Sequence, residues 1–331
     1  MLYPLKFKSI GKERIWGGEK LKTLFNKDFS PLQNVGESWE LSDVEGDVSV
    51  VTNGFLRENT LRELIEVYMG DLVGDHVYEA FGNTFPLLIK FLDANDDLSI
   101  QVHPDNDLAL KRHNSYGKTE IWYVLDAEPD AKLISGFAKP IDKEEYLKHL
   151  ENNTLSEVMK WHNVSKGDVF YIPAGKVHAI GKGNVILEIQ QTSDVTYRIY
   201  DYNRTDSKGN TRELHTELAL DAINFDFSEN DKTLYNSKKN AENEIIRTPF
   251  FNINQLKIDR LLARDYYELD SFVILICTNG SAKIRYSSTS LTADPDGEET
   301  ITKGETVLIP AELNTVLLLP DNLTEIIEVY V

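Results

Sequence analysis

One cysteine, Cys277, in 331 residues removes two kinds of chemistry at once. Neither a disulfide framework nor a cysteine-built zinc site can be assembled from it. Long apolar runs are missing as well, since none approaches the ~18 residues that suggest a membrane span. The opening stretch MLYPLKFKSIGKERIW lacks the charged and apolar regions of a secretory signal. These absences point to a cytoplasmic protein with no membrane partner. Positive charge is in short supply too: 35 Lys and Arg stand against 54 Asp and Glu, for a formal net charge of −19. A phosphate backbone demands clustered basic groups, so nucleic acid is excluded as a partner. A small anionic substrate is not, because a few cations converging in one pocket suffice to hold it.

No GxGxxG or Walker loop is present, and nothing alternates as β-α-β units. What the chain does contain is mostly short strand patterns broken by Gly, Pro, Asn and Asp. Helical patterns are confined. TLRELIEVYMGDLVG opens with a capping box, Thr60 to Glu63. DKEEYLKHLENNTLSEVMKWH reads as two short helices opened by Asp142, with Glu145 three residues on. RELHTELALDAINF, 212–225, is a third helical zone. The length suits a sizeable core and two domains.

An internal repeat organises the rest. Residues 166–174 read KGDVFYIPA and residues 303–311 read KGETVLIPA, five identities in nine positions. Each follows an apolar strand, IWYVL at 121–125 and FVILI at 272–276, and a turn-rich spacer. Lys-Gly makes a tight turn, the acidic residue starts the next strand, and Pro ends it at a corner. The pattern predicts a β-barrel or jelly roll built twice. The copies differ where chemistry would be. The first continues PAGKVHAI, with His178 five residues after Pro173; the second continues PAELNTVL, with Thr315 at that place. All seven histidines lie at or before position 215, so a metal site belongs to the first copy and the second is structural.

Candidate ligands sit on three elements of that first copy. In SIQVHPDN, 99–106, strand alternation sets Ser99, Gln101 and His103 on one face and Ile100 and Val102 on the other. GKTEIWYVL offers Glu120 at the start of a strand, with Lys118 two residues earlier on the same face. PAGKVHAI offers His178 beyond the corner. Each imidazole taken alone is more often a hydrogen-bonded core residue. Taken together, two imidazoles and a carboxylate are a common catalytic zinc set, and a small barrel can make them converge. Gln101 is the weakest member, since a neutral amide is a poor zinc ligand. Further on, in NVILEIQQTSDVTYRIYDYNR, Val185, Leu187 and Ile189 form an apolar row opposite Glu188, Gln190 and Thr192. If that row packs outward on a second layer, Glu188 looks into the barrel. Arg198 sits among Tyr197, Tyr200 and Tyr202, either stacked at the surface or reaching the cavity rim. Core packing is the expected role of Trp16 and Trp39.

These motifs, together with ERIWGG, VGESWELSD and GKTEIWYVLDAEPDAKLISGF, resemble the type I mannose-6-phosphate isomerases, and most of all their short bacterial form. The resemblance runs from about residue 3 to residue 220, with the C-terminal part consistent at low identity. The phrase KG(D/E)x4PA by itself occurs throughout the cupin superfamily. The resemblance implies a mainly β fold of tandem cupin, or jelly-roll β-barrel, domains with a small helical segment. Residues 1–230 would form a metal-binding cupin domain with helical segments near 54–82 and 140–162. Residues 231–331 would form a degenerate cupin without metal ligands.

The family's activity is the zinc-dependent interconversion of mannose 6-phosphate and fructose 6-phosphate through a cis-enediol. Its metal ligands fall on Gln101, His103, Glu120 and His178, for one Zn2+ per chain. Its other active-site residues fall on Ser99, Lys118, Glu188 and Arg198. The partner is then a sugar phosphate, and the chain a monomer or homodimer. Zinc acts as Lewis acid on the growing oxyanion, with Lys118 and Arg198 adding positive charge there or at the phosphate. Glu188 is the first choice for the proton-carrying base and a water on the metal the alternative. Ser99 orients substrate or phosphate, and Lys90, beside the apolar LLI run, approaches the same cavity. Longer family members carry a larger helical domain between strands. Here some forty residues separate Phe137 from His178, which puts phosphate contacts from such a domain in doubt. Three rivals share the ligand set: a non-haem iron oxygenase, a cupin-type phosphoglucose isomerase, and a non-catalytic cupin that binds sugar phosphates.

Overall fold

The computed structural model of the chain describes residues 1–205, 209–287 and 297–331. It is mainly β, as the repeat predicts, with antiparallel sheets forming two barrels and short helices on their flanks. The first barrel's larger sheet runs Ile10–Gly18, Val35–Leu41, Leu87–Ala94, Asn184–Gln191, Glu120–Ala127, Val169–Ile172. Its smaller sheet runs Tyr197–Tyr200, Ile100–Val102, His178–Ile180, Lys132–Phe137, Met159–Asn163.

The same order returns in the second barrel. Glu242–Arg247, Asn252–Ile258, Thr324–Tyr330, Val273–Asn279 and Thr306–Ile309 match the last five strands of the larger sheet. Leu262–Asp265, Thr315–Pro320, Ser281–Ser287 and Gly297–Thr302 match the last four of the smaller one. The repeated KG phrases therefore fall on corresponding strands. Leu5–Lys6 pairs with Val307 and Leu308, adding an edge strand to the second barrel's larger sheet.

Strand alternation divides the faces. Val185, Leu187 and Ile189 join one continuous core with Phe91, Ile274, Ile327 and Val329, where sheets of the two barrels pack together. Residues between them, Ile186 and Glu188, turn into the first barrel, where Ile186 packs with Trp122 and Phe170. Helices Lys143–Glu151 and Thr216–Ala222 cover the outside of the smaller sheet, sharing a core of Ile100, Val102, Ile134, Tyr146 and Ala219.

Both expected helix starts are present. Thr60 and Glu63 exchange backbone and side-chain bonds ahead of Leu61–Val73, and Asp142 accepts from the Glu145 amide at 2.8 Å. The zone 212–225 is shorter than its pattern suggests, with helix only at Thr216–Ala222. Its first residues bond to a strand instead: the His215 amide donates to the Arg198 carbonyl at 2.7 Å, and the Arg198 amide to His215 Nδ1 at 3.1 Å. That exchange holds residues 212–215 against the edge strand Tyr197–Tyr200.

The second barrel is filled by Leu256, Leu275, Ile284, Val316 and Ile326, with the Glu328 carboxylate among its described buried groups. IIEVY at 326–330 echoes ILEIQ at 186–190, so Glu328 stands where Glu188 stands in the first copy. Arg264 donates to it through Nε and Nη2, both at 2.9 Å, Tyr266 at 2.7 Å and Asn254 at 2.8 Å. Every oxygen of Glu328 is thus occupied from within. Removing one partner of a buried pair leaves an uncompensated charge. Arg264→Met should therefore lower unfolding free energy by about 3–5 kcal/mol in urea melts. Lys148→Met, which breaks the exposed Lys148–Glu144 pair, should leave the melt unchanged within error.

Candidate functional site

Three segments far apart in the chain deliver one polar cluster. His103 follows the strand Ile100–Val102, Glu120 opens Glu120–Ala127, and His178 opens His178–Ile180. Strand pairing sets their approach, with Gln101 opposite His178 in one sheet and Glu120 between Gln190 and Ile172 in the other. The corner before His178 turns at Gly175, whose φ is 87° and whose amide donates to the His103 carbonyl at 2.9 Å. A Cβ there would lie 2.9 Å from the Ala222 carbonyl oxygen, so only glycine lets the corner close.

Hydrogen bonds fix both rings. His103 Nδ1 lies 3.1 Å from the Val195 carbonyl and His178 Nδ1 2.7 Å from the Lys176 carbonyl. Donation to those carbonyls uses up each Nδ1 proton and leaves each Nε2 as a bare lone pair. The two Nε2 atoms face each other at 3.1 Å, with Glu120 oxygens 3.5 Å from His103 and 3.4 Å from His178. All three side chains are buried, and one ligand atom from each lies within 4.8 Å of the others.

Electrostatics hold the cluster in its metal-binding form. Burial, and then the Lys118 ammonium, push the His103 imidazole down to about 3. Burial pushes His178 down to about 4, against the pull of Glu120. Burial alone would raise the Glu120 carboxyl, but the Lys118 ammonium holds it well below the usual carboxylate range. Neutral imidazoles beside an ionised carboxylate are the protonation states a metal requires. Glu120 Oε1 has no hydrogen-bond partner although it is buried. Two opposed lone pairs and an unsatisfied anionic oxygen around one point fit a divalent cation, and the two-nitrogen, one-carboxylate set suits zinc.

Beside the cluster lies a cavity of about 420 Å³. Lys118 forms the partition: it lines the cavity, its Nζ lies 3.1 Å from His103 Nε2, and it donates to Glu120. Ser99, Gln101, Lys90, Glu188 and Arg198 also line it, so each of the metal, catalytic and substrate candidates from the sequence lies in the cluster or on this wall. Gln101 stands on the wall next to the three converging groups. Glu188 is held at both oxygens, by Lys90 at 3.1 Å and by Trp122 Nε1 at 3.0 Å, with Lys118 at 3.9 Å. Burial would strip the Lys90 proton, but Glu188 and then Glu37 more than offset this, and the ammonium persists.

Sequence reading missed four charged wall residues: Arg14, Glu37, Asp194 and Arg212. Glu37 was reachable by alternation, because Glu37 and Trp39 share a strand face and Trp39 Nε1 donates to Glu37 at 2.7 Å. Arg14 donates to the same carboxylate at 2.7 Å. Trp39 is buried, as expected of a packing residue, and Trp16 packs with Leu92 and Leu98 while also facing the cavity.

A family model described as the type I phosphomannose isomerase catalytic domain matches residues 4–130. The probable mannose-6-phosphate isomerase GmuF of Bacillus subtilis is 38% identical over 293 residues, covering 86% of this chain and 88% of that one. The mannose-6-phosphate isomerase ManA of the same organism is 44% identical over 227 residues, covering 66% of this chain and 68% of its own. A crystal structure of the mannose 6-phosphate isomerase from Bacillus subtilis superposes with a TM-score of 0.87 at 29% identity, over 100% of both chains.

The donor geometry makes a direct prediction about stability. Chelator-stripped protein should gain on the order of 5 °C in melting temperature when zinc is added at ~100 times its Kd. His178→Ala should abolish that gain while leaving the melting of the stripped protein within a few degrees. An equal gain in both proteins would place the metal elsewhere.

Proposed function

The chain belongs to the type I phosphomannose isomerases, and from that membership and the site's geometry we propose a zinc-dependent interconversion of mannose 6-phosphate and fructose 6-phosphate through a cis-enediol. Cytoplasmic location and a monomeric or homodimeric state belong to the same reading. Among the described residues no helix is long and apolar enough to cross a membrane. The single observation that carries the proposal is the convergence of His103, Glu120 and His178 on one point beside a cavity walled by basic side chains.

The metal would be held by His103, Glu120 and His178, with Gln101 beside them. When bound, zinc supplies a Lewis acid for the negative charge that develops on the sugar oxygen. The chain's own groups do the rest. Glu188 takes the C2 proton and returns it to C1 while the hydroxyl proton passes from O2 to O1 in the enediol, and its two hydrogen bonds to Lys90 and Trp122 set the direction of approach. Lys90 and Lys118, both buried, add fixed positive charge beside the reacting carbons. Ser99 and Arg198 orient the substrate.

The chemistry divides the chain as its repeat does. Residues 1–230 form the metal-binding unit in this reading, and residues 231–331 a supporting barrel whose Glu328 is sealed by its own partners.

Zinc-loaded protein incubated with mannose 6-phosphate should accumulate fructose 6-phosphate, and a chelated control should not. Glu188→Gln should keep its zinc and its substrate affinity while turnover falls ~100- to 10,000-fold. Exchange of the C2 hydrogen with deuterated solvent should stop in that variant. Continued exchange would remove Glu188 from the base role.

A further inference from the structure

Proteins with this much negative charge repel anions, so a cavity for a dianionic substrate must reverse the field locally. Five of the charged side chains on the wall are cationic, Arg14, Lys90, Lys118, Arg198 and Arg212, against three anionic, Glu37, Glu188 and Asp194. Most of the cations are already matched. Arg14 is paired with Glu37, Lys90 with Glu188 and Lys118 with Glu120. Arg198 and Arg212 are different.

Arg198 has no carboxylate partner among the described residues. Its Nη1 donates to the Glu213 carbonyl at 2.8 Å, and its Nε is buried with no acceptor. Burial, and next the charge of Arg212, hold its guanidinium below its ordinary value, and both side chains line the same cavity. Arg212 does have an anion, Asp201, gripped through Nε at 2.7 Å and through Nη2. That anion is shared, because Arg204 binds the same carboxylate. Asp201 is 5% exposed, so the grip is fixed at its carboxylate end. The result is a braced guanidinium on the cavity wall beside an unpaired one. Two guanidiniums that no carboxylate fully neutralises make a fork for a tetrahedral dianion.

We propose that Arg212, braced by Asp201, is a specificity-determining residue that binds the phosphate group of the substrate together with Arg198. Asp201 is a positioning residue, acting only through Arg212. The assignment rests on the sugar-phosphate reading of the cavity and adds a residue to it that no strand pattern foretold. It also accounts for the docking of residues 212–215 on the edge strand. That contact brings a guanidinium from beyond the barrel to the wall, where residues from a longer helical insertion are not needed.

The test measures binding and turnover separately on zinc-loaded protein. Inorganic phosphate and mannose 6-phosphate are titrated calorimetrically against the wild type, Arg212→Gln, Arg212→Lys and Asp201→Asn. Loss of a charge-assisted contact should weaken both ligands ~10- to 100-fold in Arg212→Gln. Arg212→Lys should recover part of the affinity, because it keeps the charge and loses the fork. KM for mannose 6-phosphate should rise in step with the Kd while kcat changes far less. Asp201→Asn should shift KM in the same direction by a smaller factor. Urea melts of all four proteins separate these effects from unfolding. Equal phosphate affinity in wild type and Arg212→Gln overturns the assignment, whatever the turnover. If phosphate affinity falls as expected but the wild type makes no fructose 6-phosphate, the anion site stands and the isomerase reading fails.

Discussion

A carboxylate removed from water keeps its charge only if positive charge is brought to it, and Glu120 is where this chain meets that requirement. Lys118 donates to one oxygen and the two imidazole Nε2 atoms flank the carboxylate, while Oε1 has no hydrogen-bond partner. Burial costs the two histidines their protons, while the Lys118 ammonium leaves Glu120 its charge. Move any of the three and the remaining groups would be buried polar atoms without purpose. The surrounding barrel is built so that they cannot move: the rings are tied to the carbonyls of Val195 and Lys176, and the corner at Gly175 is tied back to His103.

The two barrels solve one problem in opposite ways. Each carries a glutamate at the same place in its repeat, turned inward from a central strand. In the second, Arg264, Tyr266 and Asn254 satisfy Glu328 completely, which stabilises the barrel and ends its chemistry. In the first, Glu188 is held by Lys90 and Trp122 and still faces a cavity. The sealed copy also supports the open one, since the strand carrying Glu188 packs its other face into the core shared by both barrels. A rigid outer face is what allows an inner face to hold polar groups without partners.

Much of this was legible in the sequence, for physical reasons that can be named. Period-two alternation in SIQVHPDN and NVILEIQQ assigned His103 and Glu188 to a face, and the loss of His178 in the second copy pointed to the barrel in which the buried His103, Glu120 and His178 converge. Thr60 and Asp142 announced helix starts because cap geometry is local. The rest was hidden by its non-local origin. The pattern at 212–225 is helical by itself, yet its first residues bond to the strand Tyr197–Tyr200, and no local signal encodes that choice. Arg212 and Arg14 were passed over because arginine on a loop or edge is ordinarily solvated, and only the fold shows which cations share a wall. Glu37 lay within a quoted motif, and its alternation with Trp39 was the available clue.

X-ray absorption at the zinc edge tests the central claim most directly. With one equivalent of zinc bound, the spectrum should show two imidazole nitrogens and carboxylate oxygen at ~2.0–2.2 Å, with no sulfur. His103→Ala should remove one of the two imidazole signatures. A spectrum of oxygen ligands alone, or one unchanged by that substitution, would contradict the account.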